Sequence, residues 1–150
     1  MAMLNLPKDF QEFLKLLNEK GARYLLIGGY AVGLHGYVRA TGDLDVWIES
    51  TLENGRLILS ALESFGFPTD SIPINTFEKP DQIIRMGIPP IRIEIITSID
   101  GVTFSECYLR HEKMMISEIP VPVISFEDLK RNKKASGRHK DLDDLENLTK

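Results

Sequence analysis

GGYAVGLHGYVRATGDLDVWI, residues 28–48, joins two features that a soluble domain normally keeps apart. Gly28 and Gly29 stop an apolar run, and paired glycines weaken whatever regular element contains them. Asp43 and Asp45 then stand two residues apart in a segment whose other members are apolar. Side chains alternate along a strand, so Asp43, Asp45 and Trp47 share one face while Leu44, Val46 and Ile48 share the other. The two carboxylates would lie about 7 Å apart at the Cα level. Held that close, like charges raise each other's pKa unless a cation neutralises them.

A hard divalent cation such as Mg²⁺ meets that need, because it prefers carboxylate oxygens and leaves room for water and phosphate. Two solvent-facing aspartates on a strand are the plainer alternative. The glycines weigh against it. They fall where a strand ends and a helix begins, so backbone can approach a ligand there and first-turn N–H groups can meet a phosphate. A tight strand-to-helix turn is their own plainer reading. The two features together, within one unit of 21 residues, suit a bound metal–phosphate group better than two coincidences.

Outward from this stretch the chain alternates helices and strands. Phe10, Phe13, Leu14, Leu16 and Leu17 recur at helical spacing over 8–20, with Gly21 after the last turn. RYLLI predicts a buried strand at 23–27, YAVGLHGY a short helix at 29–36, and LDVWI a strand at about 43–49. Residues 52–65 form a helix ending at Gly66. DQIIRM and IRIEIIT flank the turn GIPP as a hairpin. KMMIS and VPVIS predict two more strands, and Ser125 with Asp128 resembles the capping pair of a helix reaching Ser136. KDLDDLENL continues as the last helix. The expected fold class is α/β or α+β, with a mixed β-sheet flanked by helices. We read 1–150 as one domain, with a core at about 22–97 and C-terminal helices at about 126–149.

Composition bounds the function. The chain is 43% apolar and 27% charged, with a net charge of −4. Disorder is not its global state, and it is no electrostatic magnet for nucleic acid or anionic membrane. Cys107 is the single cysteine, which excludes an intramolecular disulfide. The N-terminus does not resemble a signal peptide. The longest charge-free stretch, residues 24–38, holds 15 residues and four glycines, too short and too broken to span a bilayer. The expectation is a cytoplasmic protein with no membrane partner.

A third carboxylate is needed if two metals are to hold both nucleophile and triphosphate for in-line displacement, and Glu94, completing the second metal site, is the candidate. Ile91, Ile93 and Ile95 take one face of IRIEII and leave Arg92 and Glu94 on the other. A charge there is costly unless paired or metal-bound, and an ion pair with Arg92 is the alternative. The segment 130–140 carries six basic residues and no acid, a local field suited to a triphosphate or to RNA phosphates. Otherwise it is a solvated helix face balanced by Asp141, Asp143, Asp144 and Glu146, with Asp141 and Asp144 holding the last two helices in place. His35 reads as a packing or helix-end residue, Trp47 as core or base-stacking, and Cys107 as inert.

The pattern Gly-Gly, short helix, Asp-x-Asp strand resembles the signature of the nucleotidyltransferase superfamily, with the polymerase-beta-like fold. Arg39-Ala40-Thr41-Gly42-Asp43-Leu44-Asp45 is similar to the Arg-x-Thr-x-Asp-x-Asp form of small bacterial members found in toxin–antitoxin and abortive-infection systems. RIEIITSIDGVTF resembles their third-acid segment, with Glu94 where Asp is usual. SFEDLKRNKKASGRHKDLDDL resembles their C-terminal Lys…Gly-Arg-x-Lys-Asp segment. The resemblance implies transfer of NMP from an NTP to a hydroxyl on protein, RNA or a small molecule, with release of pyrophosphate. It implies that Asp43, Asp45 and Glu94 hold Mg²⁺ or Mn²⁺ as the catalytic set. Gly28, Gly29, Arg39, Thr41, Lys133, Arg138 and Lys140 would contact the nucleotide and its phosphates. The implied acceptors are RNA such as tRNA or a partner protein, including a helical toxin or antitoxin. A catalytically silent antitoxin or regulatory module of the same fold is the alternative, and a single-stranded RNA binder is a third.

Overall fold

The structure is a computed structural model that describes residues 6–38 and 41–148. Its frame is one six-stranded mixed sheet in the order β3-β4-β2-β1-β6-β5. The strands are β1 (Tyr24–Ile27), β2 (Asp43–Ile48), β3 (Ile83–Ile88), β4 (Ile91–Ile96), β5 (Glu112–Ile116) and β6 (Ile119–Val123). The helices are α1 (Lys8–Lys20), α2 (Gly28–Leu34), α3 (Leu52–Phe65), α4 (Phe104–Leu109), α5 (Phe126–Ser136) and α6 (His139–Leu148), with one 3₁₀ turn at Thr76–Glu78. The fold class is therefore α/β with a mixed sheet, as the alternating pattern predicts. Among the described residues no helix is long and apolar enough to cross a membrane.

Helical periodicity builds one layer. Phe10, Phe13, Leu14 and Leu17 of α1 are buried together with Ile58, Ala61 and Leu62 of α3. The rings of Phe13 and Phe65 meet edge to face at 5.4 Å, and each large apolar side chain so buried stabilises by ~1.5–3 kcal/mol. Asn54 ties this layer to the sheet. Its side chain accepts the Arg23 N–H and donates to the carbonyls of Arg23 and Glu49. A buried amide needs that full set of partners.

β1 is buried along its whole length, antiparallel to β2 and parallel to β6. β2 runs parallel to β4, with Asp43 opposite Arg92 and Asp45 opposite Glu94. Pro120 and Pro122 lie within β6, but β6 pairs with β1 only at Val123. Their missing N–H groups are therefore not required by that ladder.

The structure departs from the sequence expectation in four places. Helix α2 begins at Gly28 and ends at Leu34. The hairpin turn is Pro89–Pro90, because Gly87 and Ile88 continue β3 opposite Arg92 and Ile91. Gly87 has φ +86°, and a Cβ there would lie 2.3 Å from the Ile91 carbonyl oxygen, so only glycine fits this close backbone approach. β6 starts at Ile119, two residues before VPVIS. Finally, α4 is a helix that the sequence pattern does not announce. It places Phe104 edge-on against Trp47 at 5.2 Å.

Candidate active site

One face of β2 changes character along its length. At its C-terminal end Trp47 is buried beneath Phe104, which settles it as a core residue. At its N-terminal end Asp43 and Asp45 are half-buried and line an open cavity of about 500 Å³. The cavity lies between the sheet and the helical segment that carries Lys133, Ser136, Arg138 and Lys140. Ile83, Ile96 and Ile99 supply apolar lining, and Gly28 and Gly29 also line it.

Strand register assembles the carboxylates. Glu94 is the β4 partner of Asp45, and Asp43, Asp45 and Glu94 each offer an oxygen within 4.8 Å of the others. Gly28 makes room for the innermost of the three. It has φ +71°, and a Cβ on it would meet the Asp45 Oδ2 at 2.1 Å. A side chain at this position is therefore excluded twice, by backbone conformation and by collision.

The three acids are unequally neutralised. Arg92 Nη2 donates to Asp43 Oδ2 at 2.8 Å and stands 3.5 Å from Glu94 Oε1. Arg85 Nε stands 3.3 Å from Glu94 Oε2. Asp45 has no ion pair among the described residues. The hydrogen bond from Arg92 holds the Asp43 carboxyl below its usual range. Burial, with the charges of Glu94 and Asp43 added, pushes Asp45 up to about 7. An uncompensated, half-buried carboxylate beside two others suits a divalent cation, which favours the charged form of its ligands. Three hard oxygen donors fit Mg²⁺ or Mn²⁺ and do not resemble a zinc set.

The basic segment divides in two. Lys133 lines the cavity, yet its side chain is only 6% exposed and its Nζ lies 3.1 Å from both Asp141 Oδ1 and Asp144 Oδ2. Arg138 Nε donates to Asp141 Oδ2 at 2.6 Å, and Ser136 donates to the same carboxylate. Burial pushes the Asp141 carboxyl upward, but the hydrogen bonds from Arg138, Ser136 and Lys133 outweigh it and hold the group well below its usual range. This cluster clamps α5 to α6. Lys140 also lines the cavity, and its charge acts on Asp43 and Asp45.

Other sequence-derived candidates separate cleanly. Thr41 is half-buried just before β2 and does not line the cavity. Arg39 lies outside the described residues. His35 caps the end of α2, with its Nε2 2.7 Å from the Ile124 carbonyl oxygen. Cys107 is buried, and that burial, with Asp128 nearby, pushes its thiol up to about 12. Such a thiol is no nucleophile. Sequence reasoning did not single out Arg85. Its position opposite Glu94 is a matter of hairpin register.

Residues 7–150 match the family described as "Nucleotidyl transferase of unknown function (DUF2204)". No curated protein sequence matches the chain significantly. Three solved structures share its fold. A candidate nucleotidyltransferase of Thermotoga maritima, TM1012, is 14% identical with a TM-score of 0.65, over 93% of this chain and 89% of that one. The lincosamide antibiotic adenylyltransferase LnuA, solved with lincomycin bound, is 15% identical with a TM-score of 0.57, over 96% of each chain. ANT(2")-Ia, solved with adenylyl-2"-tobramycin, is 13% identical with a TM-score of 0.56, over 93% of this chain and 84% of that one. At these identities the likeness is one of fold.

Proposed function

The chain belongs to the DUF2204 family of nucleotidyl transferases, and from that premise we propose that it transfers an NMP group from an NTP to a hydroxyl, releasing pyrophosphate. The acceptor oxygen bonds to the α-phosphorus as the bond to the departing pyrophosphate breaks. The observation that carries the reading is the convergence of Asp43, Asp45 and Glu94 on one cavity with Gly28 and Lys140. The three carboxylates would hold a divalent cation, Mg²⁺ or Mn²⁺. Bound there, the cation would neutralise the carboxylates and polarise phosphoryl oxygens.

The chain's own residues divide the remaining work. Gly28 and Gly29 offer backbone to the phosphates at the start of α2. Lys140 presents positive charge to the triphosphate, where charge develops on the leaving pyrophosphate, and Arg138, hydrogen-bonded to Asp141 yet largely exposed, borders the same wall. Lys133 serves that wall indirectly, as the buried cation that holds α5 and α6 in place. Glu94 orients the acceptor hydroxyl from the β4 side. Ile83, Ile96 and Ile99 offer apolar surface to the base or to the acceptor. A small-molecule acceptor draws support from the fold shared with two proteins named for antibiotic adenylylation or carrying an adenylylated antibiotic. RNA and a partner protein are the other acceptors we propose to test.

One observation favours a second reading, a catalytically silent module of the same fold. Asp43 and Glu94 are already ion-paired with arginines. Incubation with each α-labelled NTP, Mg²⁺ and cell extract separates the two. Transfer of label to a single acceptor, lost in Asp45→Asn, is the outcome expected. If no Mg-NTP binds, and Asp43→Ala behaves like the parent, the nucleotidyltransferase reading is wrong.

A further inference from the structure

We propose that Arg92 stands in the place of a second metal ion, so that this cluster takes one divalent cation with its nucleotide and not two. The proposal deepens the nucleotidyltransferase reading and rests on it. Arg92 is fixed by the sheet, since it is the parallel-register partner of Asp43 and sits two residues before Glu94. Its Nη2 reaches both carboxylates, at 2.8 Å and 3.5 Å. Its Nε is buried and has no hydrogen-bond partner. A guanidinium that leaves one buried donor unsatisfied in order to bridge two acids is held by those acids.

Charge and ligand supply agree. Fully ionised, the three carboxylates and the two guanidiniums in contact with them, Arg85 and Arg92, carry a net charge of −1, before the more distant charge of Lys140 is added. One divalent cation turns this to +1 before the triphosphate arrives, and a second would raise it to +3. Oδ1 of Asp43 and both oxygens of Asp45 make no ion pair among the described residues, enough for one shared cation. Both oxygens of Glu94 already face guanidiniums. A second cation between Asp43 and Glu94 would have to expel Arg92 from both. That requires the guanidinium to turn away from the sheet face and give up both contacts made by its Nη2. Arg92 is therefore a positioning residue: it fixes how many ions the acids accept and where.

The test counts Mn²⁺ bound to the full chain in the presence of a non-hydrolysable NTP analogue, by calorimetry and electron paramagnetic resonance. The parent should bind one ion per chain, with the spectrum of an isolated ion. Arg92→Leu should bind two, with the spectrum of a spin-coupled pair. Arg92→Gln, which keeps a hydrogen-bonding side chain without the charge, should do the same if the leucine variant does not fold. Arg92→Lys should return the count to one, an outcome that a merely structural role would not produce. Two ions in the parent, or one ion in parent and neutral variants alike, would overturn the proposal while leaving the nucleotide reading intact. No Mn²⁺ and no analogue bound by any of them would overturn the nucleotide reading itself.

Discussion

Two groups of carboxylates, one lining the cavity and one buried behind its helical wall, are treated in opposite ways. In the sheet wall, Asp43, Asp45 and Glu94 are faced by two arginines, and Asp45 has no cation of its own among the described residues. Behind the helical wall, Asp141 and Asp144 are faced by Lys133 and Arg138. Both groups are desolvated. Among the described residues the second is balanced charge for charge, and its Asp141 is held well below the usual carboxyl range. The first is one cation short, and its Asp45 is pushed up to about 7. Burial alone therefore does not mark a functional acid. Burial without compensation is what sets the proposed active-site acid apart.

The largest effect expected from this contrast is on stability. Lys133→Met strands Asp141 and Asp144 with one partner fewer, and breaking a buried pair costs about 3–5 kcal/mol. Urea denaturation should show that loss, and a change below about 1 kcal/mol would mean the helical clamp is not what holds α5 to α6. Asp45→Asn should do the reverse. It removes the uncompensated charge, so without metal the variant should melt no lower than the parent. NMP transfer should nevertheless fall by roughly 10²–10³-fold, the scale of losing one electrostatic element of an active site. A variant that melts lower and still transfers would exchange the roles assigned to the two clusters.

The same contrast predicts opposite signs in pH dependence. Asp141 has a folded-state pKa below its unfolded one, which lies near 3.9. Its contribution is complete above about pH 4 and is lost as the pH falls from there through the lower folded value. Asp45 has a raised folded pKa of about 7. Without metal it costs stability progressively as the pH rises from about 4 to about 7, with a ceiling of ~1.4 kcal/mol per pH unit for one group. Urea midpoints in a chelator across pH 3–8 should show both slopes. Asp141→Asn should flatten the acid limb and Asp45→Asn the limb between 4 and 7. A limb that keeps its slope in its own variant does not belong to that residue.

How much of this was legible beforehand follows from the range of the interactions involved. The Asp43–Asp45 face depends on a two-residue period, and the Gly28 turn on local backbone sterics, so both can be read from one short stretch. Glu94 could be placed on the correct face of β4 by the same period. The arginines could not be ranked, because that depends on hairpin register. A turn at 87–90 sets Arg85 opposite Arg92, whereas the observed turn at Pro89–Pro90 sets it opposite Glu94. The basic segment reads as one field in sequence. That Asp141 and Asp144 hold the last two helices together is legible there too, but only the folding of α6 back against α5 shows that Lys133 is the cation they consume. Helix α4 is six residues long, too short for a periodic signal, and is explained by the Trp47 surface that Phe104 covers.

The smallest effect expected comes from Arg85, and it bears on which of the two arginines governs the sheet cluster. Its side chain is 55% exposed and, among the described residues, pairs only with Glu94, at 3.3 Å, across the edge of the sheet. Exposed pairs of this kind contribute about 0–1 kcal/mol. Arg85→Gln should therefore leave the urea midpoint nearly unchanged and raise Mn²⁺ affinity by less than about fivefold, the equivalent of under ~1 kcal/mol. It should also leave the number of bound ions at one, because Arg92 still bridges Asp43 and Glu94. If Arg85→Gln instead admits a second ion, the deciding charge lies at the sheet edge. The shortage of cations in this cluster would then be set by β3, and the inner guanidinium would be only a packing partner of Asp43.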